Sequence, residues 1–103
     1  MEVTKEQQII WDIYRDLFKE STPSADFDKL VQDAPTNSRG EKDIGFNNYE
    51  ISESLFNQIL DRHLKGRRIT KLKQTMIRNT IILGCSPRFS INKNKEENEL
   101  QIN

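Results

Sequence analysis

Between residues 62 and 88 the chain carries eight basic side chains, Arg62, Lys65, Arg67, Arg68, Lys71, Lys73, Arg78 and Arg88, and no acidic one. Cations at that density suit an anion, whether nucleic acid, an acidic protein or the molecule's own acidic half. The acidic half exists. Residues 1 to 61 hold 6 basic against 13 acidic residues, residues 89 to 103 hold 2 against 3, and the formal net charge of the whole chain is zero. Neutrality is therefore a cancellation between regions of opposite sign.

The spacing inside the basic stretch predicts a helix over about 70 to 83. Lys71 and Lys73 fall in its first turn, where the positive end of the macrodipole disfavours a cation by about 0.3 to 1 kcal/mol. An anion bound there would meet free backbone amides together with Arg67, Arg68, Lys71 and Lys73. At 100° per residue Lys71, Gln74 and Arg78 share one side of this helix, joined by Arg67 if the first turn extends that far. A preceding helix predicted over about 53 to 65, a short turn and this second helix have the lengths of a helix-turn-helix, whose second helix enters the major groove. Arg67, Arg68, Lys71, Lys73, Gln74 and Arg78 are thus the candidate residues for binding an anion or nucleic acid. The plain alternative is a solvated face whose cations pair with the acidic first half. Binding DNA requires that half to lie on the far side of the fold.

The other reactive types are scarce. With one histidine, His63, and one cysteine, Cys85, no zinc cluster of Cys and His ligands can be assembled, and a cysteine nucleophile with a histidine base would have to be this pair. The plainer reading makes His63 a hydrogen-bonded side chain at a core margin and Cys85 a small packing residue. Glycines at 40, 45, 66 and 84 are too scattered for a phosphate-cradling loop. No cofactor, metal site or small-molecule substrate is implied, and the chain reads as a non-catalytic binding or regulatory protein. No apolar run approaches the roughly 18 residues needed to span a bilayer, and the start lacks the layout of a signal peptide. A lone cysteine fits a reducing compartment, so the expected location is the cytoplasm.

The elements that would position these groups read as helices. Thr4 and Gln7 form a capping-box pattern ahead of Ile10, Ile13, Tyr14, Leu17 and Phe18, whose spacing predicts an amphipathic helix over about 4 to 20, with Trp11 and Leu17 expected to be buried. A short helix follows Pro23, capped by Thr22 or Ser24, uses Phe27, Leu30, Val31 and Ala34, and stops at Pro35. Residues 35 to 50 read as a connection of unusual length. Its Ile44, Phe46 and Tyr49 either anchor it to the core or form a short extended segment, and the alternative is that Phe46 and Tyr49 offer a contact surface to a protein partner. Ser52 caps the third helix, Ile51 and Phe56 form a hydrophobic staple, and Gly66 is the expected left-handed terminator. In the fourth helix Ile69, Leu72, Met76, Thr80 and Leu83 are the expected core face, and Gly84 the stop.

With 34% hydrophobic and 31% charged residues, one modest core is what this length supports. The expected fold is all-α: a single four-helix domain over residues 1 to 88, two helical hairpins packed together, and a flexible polar tail over 89 to 103. The segments TPSADFDKL, HLKGRRIT and LGCSPR resemble a group of small uncharacterised proteins of bacteriophages and their bacterial hosts, over most of residues 9 to 88. That resemblance implies a phage or mobile-element setting and no particular activity. The functional expectation is engagement of a polyanion, most concretely nucleic acid, through the basic helical face. The alternative is a protein-interaction module or inhibitor docking on an acidic or apolar partner surface. Oligomeric state is left open.

Overall fold

The computed structural model describes residues 4 to 45 and 48 to 93. Its elements in chain order are α1 (Lys5–Glu20), α2 (Phe27–Asp33), β1 (Tyr49–Ser52), α3 (Glu53–Leu64), α4 (Lys71–Cys85) and β2 (Phe89–Asn92). The fold is therefore mixed α/β, and the all-α expectation is corrected. β1 and β2 pair in parallel, with Tyr49 opposite Phe89 and Ile51 opposite Ile91. Both strands alternate an apolar residue with a polar one, which lets one face meet the core. On its other edge β1 pairs with Thr22, whose amide and carbonyl both bond Glu50, at 2.8 and 2.9 Å. β2 also carries the ordered fold into residues 89 to 92, the start of the segment read as a tail; residues 94 to 103 lie outside the described residues.

Local signals place the helix starts. The Thr4 side chain accepts from the Gln7 amide at 3.1 Å and the Gln7 side chain accepts from the Thr4 amide at 3.0 Å, completing the capping box of α1. Ser52 Oγ accepts from Leu55 N at 3.2 Å at the start of α3, and Ile51 and Phe56 on either side of that cap are both buried. In α2 the cap is Asp26, accepting from Lys29 N at 3.2 Å, in place of the expected Thr22 or Ser24. Thr22 is instead drawn into the bridge to β1, and Ser24 Oγ donates to the Lys19 carbonyl at 2.8 Å.

The ends behave differently from expectation. Gly66 is not in the left-handed region; positive φ is confined to Gly40 and Gly45 among the described residues. α3 closes through Lys65, whose amide donates to Asp61 O at 2.9 Å. Gly84 does not end α4 but lies inside it, at the point where the Tyr14 hydroxyl meets the helix backbone.

α1 is the hub. Its buried residues Ile9, Ile13, Leu17 and Phe18 pack against α2, α3, α4 and β1, which is the layout of one core built around a central amphipathic rod. Phe18 is fully buried, and its ring lies 5.3 Å from Phe27, 5.1 Å from Tyr49 and 4.7 Å from Phe89. One side chain of α1 thus ties α2 to both strands. The expected pairing of hairpins does not form: α3 and α4 both lean on α1, and are joined to each other through Arg78 on α4 and Asn57 and Asp61 on α3. Trp11, expected in the core, is 38% exposed; its indole meets Phe27 edge-on and donates from Nε1 to Asp28 Oδ1 at 3.0 Å.

Candidate functional site

The fold divides the six candidate anion-binding residues. Arg78 Nη2 donates to Asp61 Oδ1 at 2.7 Å while its Nη1 donates to Asn57 Oδ1 at 3.2 Å. Lys73 pairs with Glu6 of α1. Arg67 approaches Asp12 of α1 at 3.9 Å, and its Nε donates to the His63 carbonyl at 2.9 Å. Gln74 is spent on the Ile69 carbonyl at 3.0 Å. Arg68 and Lys71 have no carboxylate within salt-bridge distance among the described residues, and neither does Arg62. The basic stretch is thus quenched in part: Arg62, Arg68 and Lys71 around the turn into α4, and Arg88 beyond the end of α4, meet no carboxylate among the described residues. Near the start of α4, Arg67 and Arg68 line a recess of about 340 Å³ with Lys5, Gln8, Ile9 and Ile69.

The orientation of α4 is the reverse of the expected one. Ile77, Ile81 and Cys85 are its buried residues, whereas Leu72 is 71%, Met76 56% and Leu83 76% exposed, with Ile82 at 43% beside them. The helix carries two apolar faces roughly 150° apart at 100° per residue. α1 selects one of them; the other is left to solvent. Leu72, Met76 and Leu83, at i, i+4 and i+11, share one side of the helix, interrupted by Asn79 between Met76 and Leu83. The reason the periodicity misleads is that Gln74 and Arg78, the polar members of the inward side, find partners there: the Ile69 carbonyl for one, Asp61 and Asn57 for the other. A polar side chain whose hydrogen bonds are met tolerates partial burial.

The remaining candidates fall elsewhere. Tyr49 is half-buried against Phe18 and Phe89, so it anchors β1 to the core. Phe46 lies outside the described residues. His63 Nε2 is 2.5 Å from Asp16 Oδ2, joining α3 to α1 at the margin of the core. Cys85 is fully buried, and that burial pushes its thiol up to about 12. A thiol so held cannot supply a thiolate near neutral pH. Among the described residues no group of three or more His, Cys, Asp or Glu side chains could hold a metal ion, and no helix is long and apolar enough to cross a membrane.

Sequence reasoning passed over one region. Trp11, Tyr14, Phe27, Val31, Lys42, Ile44 and Arg88 line a hollow of about 390 Å³ on the side of α1 facing α2. Its aromatic wall is held in place: Tyr14 stacks on Phe27 at 5.6 Å, and Asp28, which fixes the Trp11 indole, is itself gripped by Arg15 at 3.0 Å. Those hydrogen bonds from Arg15 and Trp11 hold the Asp28 carboxyl below its usual value. The spacing of Trp11, Tyr14 and Phe27 reads equally well as core, and only tertiary structure opens the space between them. Compared with protein-family models, with curated proteins and with solved structures, the chain finds no match.

Proposed function

We propose that this is a non-catalytic binding module whose working surface is the outward face of α4, and that its partner is a protein segment presenting an apolar stripe flanked by acidic side chains. The observation that carries the reading is the exposure of Leu72, Met76 and Leu83 along one side of a helix. Three large apolar side chains in line are more than the scattered surface hydrophobes every protein shows, and a helix face of this kind suits helix-to-helix docking. Charge supports the choice of partner. Arg68 and Lys71, at the start of the same helix, have no carboxylate partner among the described residues, so an acidic flank on the incoming segment would be matched. An accessory role of this kind suits the phage-like resemblance.

The test uses two designed amphipathic peptides with the same apolar stripe, one flanked by Glu and one by Lys, titrated while the backbone amides of α4 are followed by NMR. The Glu-flanked peptide should bind with shifts confined to α4 and its preceding turn, at least about tenfold tighter than the Lys-flanked one, and L72E together with L83E should abolish binding. Equal affinity for both peptides, or shifts elsewhere, overturns the reading.

Nucleic acid is the second reading, favoured by the recess holding Lys5, Arg67 and Arg68. It requires that affinity for mixed-sequence DNA fall with salt, each neutralised phosphate adding close to one unit to the slope, and a flat response removes it. With Arg67, Lys73 and Arg78 engaged by Asp12, Glu6 and Asp61, the slope expected of Arg62, Arg68 and Lys71 is shallow, at most about 3.

A further inference from the structure

We infer that the hollow bordered by α1, α2, Lys42, Ile44 and Arg88 is a binding site for a small apolar carboxylate, an acid with a flat aromatic or branched hydrocarbon body. This goes beyond the docking face of α4, and nothing in it depends on that face. Three observations converge. The hollow is an open recess of about 390 Å³ lined by Trp11, Tyr14, Phe27, Val31 and Ile44, a volume within the range of small-ligand sites and with their apolar lining. Two cations, Lys42 and Arg88, stand in the same wall. Neither meets a carboxylate among the described residues: Lys42 Nζ donates to the Ala34 carbonyl at 3.1 Å and Arg88 Nη1 to the Gly84 carbonyl at 2.8 Å.

Arg88 sets this hollow apart from the other recesses of the surface. Three arginines of the chain are half-buried, Arg15, Arg78 and Arg88. Arg15 is answered by Asp12 and Asp28, and Arg78 by Asp61. Arg88 alone among the described arginines of that burial has no acidic partner, and its Nε is sealed from solvent with no acceptor. A guanidinium stripped of part of its water and given no counter-charge is an unfavourable arrangement that an anion would relieve. Nη1 spends one of its two N–H groups on Gly84 and Nε is enclosed, so the second N–H of Nη1 and both of Nη2 are the donors left for a ligand. Arg88 shares the lining of the hollow with Tyr14 and the other aromatic residues, so its charge stands beside the aromatic wall. A ligand would lay its hydrocarbon body against Phe27, Val31 and the Trp11 face and direct its carboxylate to Arg88, with Lys42 adding a second positive charge. The hydrogen bond from Trp11 to Asp28 keeps the indole from swinging into the space, so the site is formed before the ligand arrives.

Trp11 is the sole tryptophan of the chain, and its emission reports on this hollow directly. The protein is titrated with 3-phenylpropionate and, separately, with 3-phenylpropan-1-ol, which has the same body and no charge. Saturable change in Trp11 emission with the acid, at an affinity at least about tenfold above that of the alcohol, is the expected result. V31F, which fills part of the hollow and leaves both cations in the sequence, should remove binding of both. R88M should bring the acid down to the level of the alcohol; should that variant not fold, K42M, at an exposed position, must still weaken the acid and leave the alcohol unchanged. Equal affinity for acid and alcohol, no saturation by the acid, or binding that survives V31F overturns the inference.

Discussion

The Tyr14 hydroxyl lies so close to Gly84 that a β-carbon at that position would collide with it. α1 and α4 therefore meet through a phenol seated on bare helix backbone, and the glycine is there for contact and not to stop the helix. Replacing Gly84 with Ala brings two opposed effects. Removing backbone freedom from a helix interior stabilises by about 0.5 to 1 kcal/mol, while forcing a methyl group into a filled contact costs about 1 to 3 kcal/mol. The second is larger here, because α1 is the hub of the core and cannot retreat freely. G84A should lower unfolding free energy by about 1 to 2 kcal/mol. In Y14F the nearest obstacle is gone, so the G84A substitution should cost less in that background. Urea denaturation of the four proteins of the cycle checks this; strictly additive effects would show that the two residues do not meet.

The outward face of α4 makes a prediction that separates it from the inward face. L72E and L83E, at exposed positions, should change unfolding free energy by no more than about 0.5 kcal/mol each. I81A, at a fully buried position, should cost about 2 to 5 kcal/mol. Denaturation midpoints give the comparison. The opposite order would mean that the helix is turned the other way.

Asp16 and His63 link α1 to α3 through a 2.5 Å contact at the edge of the core. D16A leaves a half-buried imidazole without its acceptor, and an unsatisfied polar group at such a site costs about 1 to 3 kcal/mol. A thermal or urea melt at neutral pH that shows no loss for D16A would make the contact incidental.

Alkaline pH should weaken the fold in a defined window. Burial raises the Tyr14 phenol from 10.0 to about 12 and the Cys85 thiol from 9.0 to about 12. Both groups hold their protons more tightly folded than unfolded, so the stability linked to them is fully present below pH 9 and drains as pH climbs from there towards about 12. Urea midpoints should therefore fall steadily across that range. Y14F, which removes one of the two groups, should show a shallower decline relative to its own value at neutral pH. An equal decline in both proteins would assign the effect to other groups.

Several parts of this structure are legible in the chain because their causes are local. A threonine with a glutamine three residues on caps α1 wherever the rest of the fold goes, and the Ile51, Ser52 and Phe56 arrangement does the same for α3. The stripe containing Ile13, Leu17 and Phe18 is equally plain, since α1 has one dominant apolar side. Strands of four residues are another matter. The alternation in Tyr49 to Ser52 and Phe89 to Asn92 is too short to stand out from loop, and each strand exists because the other, about forty residues away, supplies its hydrogen bonds.

The candidate site divides along the same line. That residues 62 to 88 concentrate positive charge is read directly from the positions of the charged residues. Which of those charges remain free could not be read from order in the chain, because Asp12 and Glu6 reach Arg67 and Lys73 only after α1 has packed beside them. The same packing decides the face of α4. Its two apolar sides, Leu72 with Met76 and Leu83, and Ile77 with Ile81, are near equals in periodicity, and the choice between them rests on which arrangement lets Gln74 and Arg78 keep their hydrogen bonds while α1 is covered. Local hydrogen bonds and side-chain periodicity act within a few residues and are written in the order of the chain; the partner of a face or of a charge is a property of the assembled core.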